Sequence, residues 1–238
     1  PDVLGLSSGA SLLVSLLLMS QASGFAMSFA SSPWAVAGAA SIGSSLVFLL
    51  IVAISHRLRD NTSLLIIGLM IGAATSSIVS VLQFLSKAEE LQPYLFWTFG
   101  NLGALNWIEI QVLSMIVLAG TLIAVFSTRS LNAFLLGDNY AQSIGVNISK
   151  SRFLIILSTS LLAGGVTAFC GPIAFVGLAV PHLTKMIIKT HNHAILIPAV
   201  LAGGSGLMLF CDILAQLPGG IHVIPINAIT ALFGAPVV

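Results

Sequence analysis

Asp212 is the acidic residue with the most unusual surroundings, because it lies inside a long apolar run, near the end of that run. A charged side chain at the centre of a bilayer costs roughly 2.5–3.5 kcal/mol on insertion scales, so such a residue usually serves a structural or functional role. For Asp212 we expect a hydrogen bond to a neighbouring helix, and proton or ion handling is the functional alternative. Glu109 stands at the start of another apolar run, where we expect its carboxylate to be solvated.

The histidines and cysteines do not suggest a metal site. His191 and His193 are two residues apart in a polar stretch, the other histidines are scattered, and no Cys/His spacing of the zinc type occurs. Cys170 and Cys211 lie in apolar surroundings and are expected to be small buried residues. We therefore expect neither a resident metal nor a cofactor.

Motifs for covalent chemistry are also missing from the sequence. It contains no Gly-x-x-x-x-Gly-Lys-Ser/Thr phosphate loop, no Gly-x-Ser-x-Gly elbow and no His-Glu-x-x-His pair. The chain is therefore not expected to be an ATPase or any other enzyme, and we assign no catalytic residue. We expect membrane lipid as its surroundings and no nucleic-acid partner.

The composition indicates that the few polar residues are held by membrane-spanning helices. Of 238 residues, 57% are hydrophobic and 6% are charged, whereas an average soluble protein is about 25% charged. The apolar runs are continuous rather than alternating, which predicts helices and not strands. We predict an all-α, polytopic membrane protein with about eight spans in a single transmembrane domain over residues 1–238. The predicted spans are residues 4–20, 35–54, 63–85, 108–126, 153–169, 171–186, 195–214 and a last one that stops at residue 238.

The two ends of the chain suggest a fragment. The sequence starts at Pro1 without Met, and its last apolar run stops at Val238 before it could cross a bilayer. We expect an internal piece of a longer protein, truncated at both ends. Two spans carry a Gly-x-x-x-Gly spacing, Gly5 with Gly9 and Gly68 with Gly72, which lets a neighbouring backbone come close.

The cations fix the orientation of the predicted spans. If the chain starts in the cytoplasm, seven of the eight lysines and arginines fall in inner loops, and Lys87 alone falls outside. Short cytoplasmic loops are rich in Lys and Arg, so this split supports both the number of spans and the direction. The inner cations are Arg57, Arg59, Arg129, Lys150, Arg152, Lys185 and Lys189.

Residues 127–152 form a polar segment between two apolar runs. Within it, Asp138 can cap a short helix, and Gly145 suits the left-handed position just past its end. Leu136, Tyr140 and Ile144 recur every four residues and share one face. A helix of about six residues is too short to persist alone in water, so it must pack on something. A soluble partner docked on the apolar face is one interpretation; a surface helix lying on its own bundle or in the lipid interface is the other.

A second unusual stretch runs from Gly171 to His182 and is dense in helix breakers, with Gly171, Pro172, Gly177 and Pro181 at membrane depth. Broken helices are tolerated in a bilayer where they are buried in protein or line a cavity. We expect this stretch to lie inside the bundle near a transport pathway. The alternative is a kinked helix that serves only for packing.

Several of these stretches resemble one family. Gly171-Pro172-Ile173-x-Phe175-Val176-Gly177-Leu178-x-x-Pro181-His182 is the most specific match to permease subunits of ATP-driven iron-siderophore, haem and cobalamin importers, the FecCD type of type II ABC importers. The other matches are residues 1–10, Phe96-Trp97-x-x-Gly100 with Trp107, Leu136-Gly137-x-x-x-Ala141-x-x-x-Gly145-Val146, and Leu232-x-Gly234-Ala235-Pro236. The resemblance covers essentially the whole chain in the right order. Two departures stand where this family often has Arg, namely Gln142 and Lys185.

The resemblance implies an assembly and a set of site residues. It implies a permease of roughly ten helices, a homodimer, two cytoplasmic ATP-binding subunits, a periplasmic substrate-binding protein, and a place in the bacterial inner (plasma) membrane. The polar segment then becomes the cytoplasmic coupling loop, with ATPase-coupling residues Gly137, Asp138, Ala141 and Gly145. The matching cytoplasmic gate is Asn61 with Thr62. The pathway and helix-break residues are Gly171, Pro172, Gly177 and Pro181.

The function this resemblance implies is import of an iron chelate, a ferric siderophore or haem, with cobalamin as a further cargo of the same scaffold. The chelate would move from periplasm to cytoplasm by alternating access while the partner subunits hydrolyse ATP. The alternative is a secondary transporter driven by an ion gradient, with Asp212 carrying the coupling.

Overall fold

The computed structural model describes residues 5–19, 32–55, 61–103, 105–217 and 224–234, and within these ranges the chain forms eleven helices and no strand. In chain order they are α1 (Leu6–Met19), α2 (Pro33–Ser55), α3 (Asn61–Leu85), α4 (Ala88–Thr98), α5 (Trp107–Phe126), α6 (Thr128–Phe134), α7 (Asp138–Ser143), α8 (Ile148–Cys170), α9 (Val176–Ile188), α10 (His193–Gln216) and α11 (Ile226–Gly234). Arg57, Arg59 and residues 235–238 lie outside the described residues.

Five of the helices are long and apolar enough to cross a membrane. They are residues 33–54, 65–85, 107–126, 148–170 and 193–216. Two shorter apolar helices, at residues 7–19 and 176–188, fall below the length of a full span. The prediction of an all-α polytopic membrane protein is confirmed, whereas the count of about eight spans depends on these shorter helices and α11 and stays a prediction.

The chain divides into two compact units. Unit 1 holds residues 1–117 and 159–172, and unit 2 holds residues 118–158 and 173–238. The boundaries fall within α5, within α8 and just after Pro172, so each unit is built from segments that are distant in sequence.

Unit 1 is organised around α1, which packs against α2, α3 and α4. Ala10, Val14 and Ser15 on this helix are fully buried. The close packing comes from glycine: a Cβ on Gly9 would lie 2.6 Å from the Gly43 carbonyl oxygen, and one on Gly5 would lie 3.0 Å from that of Gly68. The expected close approach at both glycine pairs is therefore confirmed: Gly9 lies against α2, and Gly5 lies against Gly68 of α3.

In unit 2, α9, α10 and α11 pack against one another, and α6 packs against both α7 and α10. The start of α10 is held by Asn192, whose Oδ1 accepts from the backbone N–H of Ala194 at 3.0 Å. This side-chain cap satisfies one of the backbone donors that a helix start leaves open.

Two expectations about acidic residues are wrong. Glu109 is buried, with 3% of its surface exposed, because its Oε2 turns back to accept from the backbone N–H of Asn106 at 2.8 Å and caps the first turn of α5. Asp212 makes its hydrogen bond within its own helix and not to a neighbouring one: Gln216 Nε2 donates to its Oδ2 at 2.8 Å. Residues four apart share a helix face, which explains the local partner. Cys170 and Cys211 are buried free thiols, as expected.

Candidate functional site

The polar segment folds into two short helices, α6 and α7, followed by the first turn of α8, all within unit 2. The turn that ends α7 is a Schellman motif: Val146 N–H donates to the Ala141 carbonyl and Gly145 N–H donates to the Gln142 carbonyl, both at 3.0 Å. Gly145 has φ +85°, so the predicted left-handed position is confirmed. The helix is therefore closed at its end by its own backbone.

The predicted helix cap by Asp138 is wrong. Gly137, with φ +100°, occupies the non-helical position before α7, and Asp138 is the first residue of that helix. Its Oδ2 lies 3.5 Å from Nη2 of Arg152, across the segment in α8. A carboxylate in the first turn also suits the positive end of the helix. Because 42% of the Asp138 side chain is exposed, we expect the pair to contribute less than about 1 kcal/mol.

The polar segment is further closed by contacts between its ends. Ser151 Oγ donates to Ser130 Oγ at 3.0 Å, which joins the first turn of α8 to α6. The backbone N–H of Lys150 donates to Asn147 Oδ1 at 3.0 Å, so Asn147 caps α8. These bonds, together with the ion pair, give the segment a defined shape.

The burial pattern separates the residues of α7 and those flanking it into two groups. Ala141 has no exposed surface, whereas Leu136, Tyr140 and Ile144 are exposed by 66%, 47% and 55%. We call these three the apolar ridge; the predicted single helix face is wrong, because the non-helical Gly137 separates Leu136 from α7 and Ile144 follows its last residue. Gly137 and Gly145 are also exposed, and a Cβ at either would meet no atom within 4 Å. Of the predicted coupling residues, the two glycines and Asp138 thus lie at the surface, while Ala141 anchors the helix to the unit.

The predicted gate residues lie at the start of α3 in unit 1. Asn61 is the first residue of that helix, and its side chain lies outside the described residues. Thr62 follows in the first turn and is exposed. The gate assignment stays a prediction.

The helix break is present where the sequence predicts it. α8 ends at Cys170 and α9 starts at Val176, and Gly171 has φ +78°. The backbone groups that the break releases have protein partners: Asn101 N–H donates to the Cys170 carbonyl at 3.0 Å, and Ala174 N–H donates to Asn227 Oδ1 at 3.1 Å. Irregular backbone at membrane depth requires such partners.

The remaining helix-break residues lie further along. Pro172 ends the last segment of unit 1, while Gly177 and Pro181 lie in α9 of unit 2, the glycine exposed and the proline half-buried. Their proposed role near a pathway stays a prediction.

Pro172 borders a polar cavity of about 320 Å³ in unit 1, which the sequence analysis missed. Its lining is Ser7, Ser8, Ser11, Ser76, Val79, Ser80, Gln83, Tyr94 and Pro172, and none of these residues is charged. The available signal was the spacing of Ser7 with Ser11 and of Ser76 with Ser80, since residues four apart share a helix face. The sequence alone could not show that the two faces meet.

Comparison with known proteins identifies the family. The sequence profile of the FecCD transport family matches residues 1–238. The chain belongs to the FecCD transport family. Among FecCD relatives, the haemin transport system permease protein HmuU of Yersinia pestis is 32% identical over 241 residues, covering 99% of this chain and 70% of that protein. The vitamin B12 import system permease protein BtuC of Vibrio cholerae is 31% identical over 238 residues, covering all of this chain and 70% of that protein.

A solved structure of a metal-chelate type ABC transporter in an inward-facing conformation matches with a TM-score of 0.87 at 27% identity. The match covers 99% of this chain and 73% of that one. The resemblance found in the sequence is thereby confirmed. The chain is a FecCD-type ABC importer permease, a multi-pass transmembrane subunit of the bacterial inner membrane.

Proposed function

We propose that the chain is the permease of an ATP-driven importer that moves an iron chelate, a ferric siderophore or haem, from periplasm to cytoplasm by alternating access. It would work as a homodimer with two cytoplasmic ATP-binding subunits and a periplasmic substrate-binding protein. The permease itself catalyses no reaction; ATP hydrolysis belongs to the partner subunits. Relatives named for haemin and for vitamin B12 support a metal chelate as cargo, and keep cobalamin as a further candidate.

The apolar ridge carries this proposal. Tyr140 is exposed on a helix too short to be stable alone, and Leu136 and Ile144 are exposed on either side of it, while Ala141 is fully buried. An apolar surface with polar residues around it marks a site of protein interaction. The cations Arg129, Lys150 and Arg152 flank the segment and favour the cytoplasmic side, where an ATP-binding subunit is available.

The contacts within the polar segment support a mechanical role. The Schellman turn, the Ser151–Ser130 hydrogen bond and the Asp138–Arg152 pair hold the ridge on the first turn of α8. A movement of the ridge, imposed by ATP binding in the partner, would then reach α8 directly. Alternating access by rocking of rigid helices requires such a connection.

The polar cavity beside Pro172 supports a weak pathway contact. Serine hydroxyls can donate or accept, so they accommodate many polar cargo groups. Because the described lining holds no charged residue, no strong ion pair would trap the cargo. On the cytoplasmic side, Asn61 and Thr62 at the start of α3 would close the pathway.

The test is substrate-stimulated ATP hydrolysis in liposomes that hold the full-length permease, its ATP-binding subunit and its binding protein. Tyr140→Asp and Ile144→Asp should each lower the stimulated rate at least about tenfold, since losing one buried apolar side chain costs about 1.5–3 kcal/mol and each 1.4 kcal/mol is tenfold. Asn139→Asp adds the same charge on the same helix, off the ridge, and should change the rate less than about twofold.

Two outcomes would contradict the proposal. Stimulated hydrolysis that survives both ridge substitutions would show that the ridge does not couple. Uptake that continues without ATP, and stops when an ion gradient is removed or Asp212 is replaced by Asn, would establish the secondary transporter instead.

A further inference from the structure

A groove of about 580 Å³ lies on unit 2 where the end of α5, the start of α6 and the start of α10 come together. Its lining is Val125, Phe126, Thr128, Arg129, His193, Ala194, Ile197 and Pro198. None of these residues has a role in the coupling, gate or pathway assignments. The groove is therefore separate from the site described above.

The groove changes character along its length. Val125, Phe126, Ile197 and Pro198 form an apolar wall, and Thr128, Arg129 and His193 lie at one end. One apolar span ends at Phe126 and another begins at His193, so the change coincides with the end of the membrane-crossing stretch in both helices. A phospholipid has the same order, with acyl chains in the bilayer and a phosphate at its edge.

Arg129 makes the polar end positive. It is exposed, and among the described residues no acidic side chain forms an ion pair with it; the pair found there joins Arg152 to Asp138. A guanidinium group binds phosphate oxygens through two parallel N–H donors. Lys185 and Lys189 stand at the end of α9, which packs against α10, and add charge of the same sign to the same unit.

The polar end is built before any ligand arrives. Asn132 Oδ1 accepts from the backbone N–H of His193 at 2.9 Å and lies 2.8 Å from its Nδ1. The amide of Asn132 also donates to Asn192 Oδ1 at 2.9 Å. Because a carbonyl oxygen only accepts, Nδ1 carries the hydrogen. These bonds fix α6 to the start of α10, so binding would need little reordering.

We propose that this groove binds an anionic phospholipid of the cytoplasmic leaflet. The phosphate lies on the Arg129 guanidinium, and an acyl chain lies along Val125, Phe126, Ile197 and Pro198. Basic pockets between transmembrane helices on the cytoplasmic side suit anionic headgroups. A soluble protein partner would not reach the apolar wall, because that wall belongs to the stretch within the membrane.

The test is native mass spectrometry of the full-length permease, purified in mild detergent and incubated with phosphatidylglycerol or phosphatidylcholine of identical acyl chains. The wild type should retain phosphatidylglycerol at least about fivefold better, the factor that corresponds to about 1 kcal/mol per surface cation. Arg129→Gln should remove this preference and lower the retention of phosphatidylcholine less, because the choline cation already offsets the charge of its phosphate. Lys150→Gln removes an exposed cation of the same unit outside the groove and should keep the preference.

Ile197→Trp tests the apolar wall, since a larger side chain fills the groove and should lower retention of phosphatidylglycerol. Equal retention of the two lipids by the wild type would overturn the proposal, and so would full retention in Arg129→Gln or Ile197→Trp. Displacement of the lipid by millimolar glycerol phosphate would also overturn it, because the acyl chain would then contribute nothing. Equal retention by the wild type overturns the proposal even if a variant fails to fold.

Discussion

Gly171→Ala should strongly lower the stability of the permease, because two costs coincide at this residue. Gly171 has φ +78°, and an added Cβ would meet the Trp97 carbonyl oxygen and come within 3.2 Å of Gly100 Cα. The backbone cannot easily yield, since the carbonyl of Cys170 is held by Asn101 N–H. Left-handed strain costs about 1–3 kcal/mol and overpacking a further 1–3 kcal/mol, against a total stability of about 5–15 kcal/mol.

Gly137→Ala is the matched control. Gly137 also has a positive φ, +100°, but a Cβ there would meet nothing within 4 Å. The Gly137→Ala variant should therefore lose only the stability that the left-handed backbone conformation costs, without the cost of overpacking. Size-exclusion chromatography of detergent-extracted protein and its melting temperature measure both variants. Equal losses in the two would mean that the contact of the 97–101 stretch with Gly171 is wrong.

Gly43→Leu should separate α1 from α2 and open the core of unit 1. The two backbones are in direct contact, since a Cβ on Gly43 would meet the carbonyl of Gly9 and come within 3.1 Å of Ala10 Cα. Leucine has no room there. Ala10 and Val14 are fully buried, and moving α2 away would expose them and the side chains around them. Overpacking costs about 1–3 kcal/mol, and each apolar side chain that loses its burial adds about 1.5–3 kcal/mol.

Gly38→Leu controls for the added hydrophobicity. Gly38 lies in the same helix, is exposed, and a Cβ there meets nothing within 4 Å. Both substitutions favour membrane insertion equally, so only the contact differs. The melting temperature of the extracted permease should fall sharply for Gly43→Leu and change little for Gly38→Leu. A similar melting temperature for both would show that α1 and α2 do not touch through glycine.

The apolar runs predicted most of the helices because a bilayer leaves the backbone few alternatives. With no water to satisfy N–H and C=O groups, a continuous apolar run of about 20 residues must be helical. The run from Ile108 to Phe126 thus became α5, from Trp107 to Phe126. Gly145 was also predictable, since its left-handed role depends only on the helix before it.

The polar side chains were less predictable because their partners are set by folding. Asp138 does not cap α7, since Gly137 takes the non-helical position and Arg152 comes within reach of the carboxylate. Glu109 turns back along the chain because the backbone N–H of Asn106, three residues earlier, donates to its carboxylate. The serine cavity and the groove at Arg129 each need residues from helices that are distant in sequence. Composition and spacing carry no information on which helices meet.

The hydroxyl lining of the cavity beside Pro172 bears on how the substrate of such a transporter could change during evolution. Serine hydroxyls rotate and can present either a proton or a lone pair, so on the proposed pathway this wall would select little between donor and acceptor groups of the cargo. Discrimination between nutrients would then rest with the soluble receptor that delivers them. We expect a lineage to acquire a new chelate by altering that receptor while this membrane subunit stays almost the same.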